Sequence, residues 1–90
     1  MSSLSLLHSE VKLLSEGNLA SFSLVKAEPW IKKQDCEIQR VIYKYEKNNK
    51  YYAQHNYRYV DNRGNKVTNL ADGLHEVVEK GVLVKDWVEI

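Results

Sequence analysis

Leu4, Leu7, Val11 and Leu14 recur at spacings of three, four and three, and Leu6 and Leu13 widen the stripe. That period predicts an amphipathic helix of about three turns, stopped at "EGN" (16–18) with Gly17 suited to a left-handed C-terminal position. The pattern changes at "ASFSLVKA" (20–27), where Phe22 and Leu24 alternate with Ser21 and Ser23, the period of a strand. "EPWIKKQD" (28–35) reads as a solvent loop, broken by Pro29, the single proline of the chain. A second strand runs from about Glu37 to Glu46, "KNN" turns the chain, and a third strand runs from Lys50 to Val60. After the turn chemistry of "DNRGNK" (61–66), Leu70, Leu74 and Val77 form another helical stripe, N-capped by Thr68 or Asn69 and closed by Gly81. Residues 82–90 alternate imperfectly as a last strand. The predicted fold is therefore α+β: one domain over 1–90, order α-β-β-β-α-β, with two helices covering one face of an antiparallel sheet.

In the central hairpin, turn length decides which side chains meet. A two-residue Asn48-Asn49 turn pairs Tyr45 with Tyr52 and mixes the aromatic and polar sets. A three-residue turn, Lys47 to Asn49, pairs Glu46 with Lys50, Tyr45 with Tyr51 and Tyr43 with Ala53. The second register gives an ionic and an aromatic pair, each worth about 0.2–1 kcal/mol. It also gathers five of the six tyrosines on one face and leaves Tyr52, Arg58, Lys44 and Arg40 on the other. It is the preferred one. Such an aromatic face either packs under the helices or stays open to a partner.

Ninety residues with 43% apolar and 28% charged side chains fit an ordinary globular chain. Net charge is only +1, but it is polarised. Residues 40–66 hold seven basic and two acidic side chains, +5, and the remainder six basic and ten acidic, −4. Basic groups interleaved with aromatics suit single-stranded nucleic acid, where rings stack on bases and Lys or Arg follow phosphates. The same charges on an edge hairpin also deter aggregation.

The element order over residues 4–80 resembles that of double-stranded-RNA-binding domains. Those domains carry a lysine pair at the start of the second helix, whereas this stretch, "VTNLADGLHEVVEKG", holds Asp72 and no lysine before Lys80. "NNKYYA" (48–53) is similar to a hairpin that precedes a helix in the DNA-binding arm of some phage integrases, which adds to the nucleic-acid alternative.

Candidate chemistry is sparse. His8, His55 and His75 fall on three different predicted elements. His75 with Asp72, Glu76 and Glu79 would cluster at helical spacing, an arrangement more often a solvated face than a metal site. The one cysteine, Cys36, sits between Asp35 and Glu37 and lacks basic sequence neighbours that would activate it. It also leaves no intrachain disulfide. The four glycines are too scattered for a phosphate-cradling loop. No cofactor or metal is expected, and the chain reads as a non-enzyme. With no signal-peptide or membrane-span pattern, a cytoplasmic location is expected.

The leading expectation is a small protein-binding module, a regulator or inhibitor that covers part of a larger protein. Its predicted contacts are Tyr43, Lys44, Tyr45, Lys47, Lys50, Tyr52, Tyr57 and Arg58, with Trp30 and Trp87 as aromatic anchors. Homodimer formation is a variant of this reading. Nucleic-acid binding through the hairpin 40–66 is the alternative.

Overall fold

The computed structural model describes residues 3–71, 73–81, 84 and 86–90. Its spine is a long antiparallel hairpin, named here β4 (Glu37–Tyr45) and β5 (Lys50–Val60). Short strands flank it on both sides. On the β4 side, β2 (Phe22–Ala27) and β3 (Ile31–Lys32) pair with successive lengths of β4. On the β5 side, β6 (Lys66–Leu70) and β7 (Gly73–Lys80) divide that strand between them. The far edge of β7 takes β1 (Ser3–Ser5) and β8 (Asp86–Glu89). All pairings are antiparallel, and eight strands form one sheet.

One helix, α1 (His8–Ser15), is present among the described residues. The Glu10 carboxylate accepts the Leu7 backbone N–H at 3.0 Å, satisfying one donor at its start. At its end Gly17 has φ +77°, and two reverse bonds close the turn: Asn18 N–H to Leu13 O at 2.8 Å and Gly17 N–H to Leu14 O at 3.1 Å. This is the left-handed glycine stop expected from "EGN". The helix starts later than expected, because Leu4 belongs to β1, opposite Leu74 of β7.

The expected second helix does not exist, and the α+β fold with order α-β-β-β-α-β is corrected to a mostly antiparallel sheet with a single helix. Residues 66–70 are β6 and residues 73–80 are β7. The stripe Leu70, Leu74, Val77 misled because both faces of β7 are covered. Leu74 packs on the helix side with Leu14 and Tyr43, whereas Val77 packs on the opposite side with Ile42 and Ala53. A strand buried on both faces loses the alternation that would mark it. The β-branched Val67, Thr68, Val77 and Val78 agree with strand instead. The expected loop 28–35 likewise contains β3, whose Ile31 pairs with Ile38.

The hairpin register also differs from the preferred one. Tyr45 stands opposite Lys50, so the turn has four residues, Glu46 to Asn49. Asn49 N–H donates to Tyr45 O at 2.9 Å, Asn49 adopts φ +57°, and the Asn48 side chain accepts the Lys50 N–H at 2.9 Å. Asparagine tolerates the left-handed conformation and bonds its own turn, so "KNN" favours this longer closure. The shift sorts the tyrosines three and three. Tyr43, Tyr45 and Tyr52 lie on the helix face; Tyr51, Tyr57 and Tyr59 lie on the other, which we term face B.

On face B, Ala53 leaves room over the sheet that Trp87 fills, packing with Tyr51 on Ile42, Ala53 and Val77. The ring centroids of Tyr51 and Trp87 are 4.9 Å apart. Arg40 fastens this cover. On a flat sheet β4 and β8 would stand three strand spacings apart, about 14 Å. Yet the Arg40 guanidinium donates to Trp87 O at 2.7 Å and to Asp86 Oδ1 at 3.0 Å, so β8 curls over face B. The same guanidinium donates to Glu28 at 2.5 and 2.8 Å, just beyond β2. One side chain thus ties the β2 end of the sheet to β8.

The Arg40 hydrogen bonds hold the Glu28 carboxyl below its ordinary 4.5, against an opposing effect of burial. The Trp87 N–H, then Arg40, hold Asp86 below 3.8. A carboxylate lowered on folding stabilises above its unfolded titration range, and that gain is lost as pH falls through its folded value. Arg40→Met should therefore destabilise the fold by about 2 kcal/mol at pH 7, through lost charged bonds to Glu28 and Trp87. In urea unfolding the gap between the two proteins should narrow below about pH 4. A gap of equal size at pH 7 and pH 3 would contradict the clasp.

Candidate protein-binding face

The helix face of the hairpin is core. Tyr43 is 6% and Tyr52 3% exposed, and both pack with Leu14, Val41 and Leu74. Burial raises the Tyr43 hydroxyl pKa. Tyr52 Oη accepts a bond from Asn48 Nδ2 at 3.0 Å, and Tyr45 stacks on Phe22 with centroids 4.6 Å apart. These three tyrosines, expected at a partner surface, have their rings in internal contacts.

Three of the seven basic residues in 40–66 are answered from within. Arg40 binds Glu28 and Asp86, Arg58 Nε binds Glu37 at 3.0 Å, and Lys50 Nζ lies 3.8 Å from Glu76. All four acids lie outside residues 40–66, so folding brings the −4 remainder onto the +5 segment. Trp30 lies against Arg58, whose guanidinium carbon is 4.2 Å from its ring centroid. Glu37 is held below its ordinary 4.5 chiefly by the Arg58 bond. The predicted contacts Trp30 and Arg58 therefore meet one another on the helix side of the sheet. Trp87 is spent as the cover of face B. Lys44 is half-buried on face B, and Lys47 stands exposed in the turn.

Face B is covered only over its half nearest β8. Beyond Arg40 and His55 the sheet surface lies open. Ile31, Ile38 and Tyr57 follow one another across β3, β4 and β5 in register, and Tyr59 with Val67 forms the next row. Ile31 is 56% and Tyr57 40% exposed. Beside them a cleft of about 370 Å³ is lined by Glu28, Pro29, Ile31, Lys33, Ile38, Arg40 and His55. Tyr59 Oη accepts from Asn69 Nδ2 at 3.2 Å, which fixes that ring at the margin. Of the predicted contacts only Tyr57 belongs to this surface. Ile31, Ile38, His55 and Tyr59 were missed; the signal was the pair of isoleucines flanking "KKQDCE", read as a loop because of Pro29 and its charge.

The arrangement offers apolar area. No group of three or more His, Cys, Asp or Glu that could hold a metal occurs among the described residues. In a strand, His75 and Glu76 point to opposite faces, so the helical cluster expected there does not form, and Asp72 lies outside the described residues. Cys36 is less isolated than its sequence neighbours suggest. Lys32, Lys33 and Arg58 line the same cleft of about 360 Å³ at the tip of the β3–β4 hairpin. Among the described residues no helix is long and apolar enough to cross a membrane. No protein-family model, curated protein or solved structure matches this chain.

A direct consequence concerns which tyrosines the fold needs. Tyr52→Ala should cost about 3–5 kcal/mol by emptying a core site, whereas Tyr57→Ser should stay within about 0.5–1 kcal/mol. Equal losses in thermal unfolding would place Tyr57 in the core and close face B.

Proposed function

We propose that this chain acts by binding another protein through the open half of face B. The observation that carries the reading is the contiguous row Ile31–Ile38–Tyr57, with Ile31 and Tyr57 exposed and Ile38 half-buried between them beside a cleft. Surface area supports it. The chain exposes 6474 Å², against about 5,400 Å² for a compact monomer of its mass. Its radius of gyration is 14.0 Å, against about 12 Å for a compact chain of this length. A contiguous apolar surface rimmed by polar groups is the usual mark of an interaction site. The partner it fits presents an apolar ridge to Ile31, Ile38 and Tyr57, with an acidic group toward Lys33. A regulator or inhibitor that works by covering a surface remains the role in keeping with this geometry.

The nucleic-acid alternative is weakened by the same folding that exposes face B. Of its predicted rings Tyr43, Tyr45 and Tyr52 pack internally while Tyr57 stays exposed, and of its seven basic residues Arg40, Lys50 and Arg58 face acids of their own chain. Phosphate binding needs cations free to replace counter-ions.

The test compares the unaltered chain with Ile31→Asp, Tyr57→Asp and the turn variant Lys47→Asp in affinity capture from cells that express it. Both face B variants should lose a protein that the unaltered chain and Lys47→Asp retain, with melting unchanged and little salt dependence. Retention of that protein by the face B variants would refute the reading. Saturable oligonucleotide binding that falls steeply with salt would replace it with the alternative.

A further inference from the structure

A second surface lies along β2, which shares one edge of β4 with β3. β2 ends the sheet, and its outer edge has no partner strand among the described residues. Glu46 N–H donates to Ser21 O at 2.8 Å and Glu28 N–H to Arg40 O at 3.0 Å. By the alternation of an antiparallel ladder, Ser23 and Lys26 also turn their main-chain groups inward, and those of Leu24 and Ala27 turn out. The Phe22 N–H is held by Leu19 O at 3.2 Å, which leaves its carbonyl on the outer side. Between them the register shifts at Val25, a bulge. Leu24 is 63% and Val25 41% exposed.

From this edge we infer that β2 pairs antiparallel with β2 of a second copy, about a two-fold axis perpendicular to the sheet. Such an axis keeps the helix face and face B of the two copies on their own sides. Centred between Leu24 and Val25, the pairing sets Phe22 against Ala27 of the second copy and Ser23 against its Lys26. The extra residue of the bulge puts Phe22 and Ala27 on one face, and Ser23 and Lys26 on the other. A slip of one residue would oppose Phe22 to Lys26, or Ser23 to Ala27, across mismatched faces. The outward Ala27 N–H also meets the outward Phe22 carbonyl.

Charge selects the same register. Ser23 Oγ donates to Glu46 Oε1 at 2.6 Å, so a carboxylate sits where the lysine of the second copy arrives. Cross-strand neighbours stand about 5 Å apart at Cβ, well within the reach of a lysine. The pair forms twice by symmetry. Within its own chain Lys26 is held only loosely, 3.8 Å from Glu28, with its side chain 55% exposed. Lys44, opposite Ser23 on the inner side, brings a like charge that Glu46 offsets. A lysine on an edge strand ordinarily prevents edge-to-edge association. Here the acid of a second copy answers it, and strands without such an acid are excluded.

The test is sedimentation of the whole chain from micromolar to millimolar concentration. The unaltered chain should dimerise. Lys26→Glu or Glu46→Lys alone should weaken association by about tenfold or more, and the double exchange should restore it. Ala27→Pro removes only an outward N–H, so it should abolish the dimer while leaving the melting temperature near that of the parent. A chain that stays monomeric at millimolar concentration overturns the proposal. So does a dimer that ignores both charge reversals and Ala27→Pro, or one lost through Tyr57→Asp instead, since that would place the contact on face B.

Discussion

The pairing of β4 with β5 is the constraint on which the other features rest. With Tyr45 opposite Lys50, every side chain of the hairpin is assigned a face, and a slip by one residue would exchange those assignments. In the observed register Val41, Tyr43, Tyr52 and Gln54 meet the helix side. Ile42 and Ala53 meet on the other, where the small Ala53 admits Trp87. Arg40 then falls where it can reach Glu28 on one side and Trp87 and Asp86 on the other. The turn that sets this pairing depends on two asparagines, one left-handed and one bonding back to the strand.

Among the described residues one sheet and one helix leave part of the sheet surface uncovered. The helix takes the first core, built on Leu14, Tyr43, Tyr52 and Leu74. The curled β8 makes the second, smaller one with Trp87. Among the described residues nothing covers the far half of face B, where Ile31 and Tyr57 flank the half-buried Ile38. The same shortage of cover leaves β2 with a free edge. The proposed function by association rests on what the fold leaves over, which is apolar surface and main-chain donors.

Strand period made β4 and β5 legible, since their alternation is strong and their ends carry turn residues. Gly17 marked the helix end for the same reason: a glycine after an apolar stripe has few other uses. Turn length was not legible, because Lys47, Asn48 and Asn49 suit closures of two, three or four residues. Residues 66–80 were misread because Leu74 and Val77 each face a different core, which imitates a helical stripe. The site suffered most from these two errors. Once the register moved, the tyrosines divided into core and surface sets that their identities alone could not distinguish. The charge asymmetry was legible as a sum along the chain, but its meaning was not. Acids distant in sequence, among them Glu28 and Asp86, come back to meet it.

The register itself can be read directly by the Hα–Hα contacts of the hairpin in nuclear Overhauser spectra of the labelled protein. Non-hydrogen-bonded pairs bring opposite Cα atoms to about 4.5 Å, close enough for strong signals. The account predicts such contacts for Ile42 with Ala53 and for Lys44 with Tyr51. Contacts of Ile42 with Gln54 and Lys44 with Tyr52 would contradict it, returning five tyrosines to one face and removing the basis for an open face B.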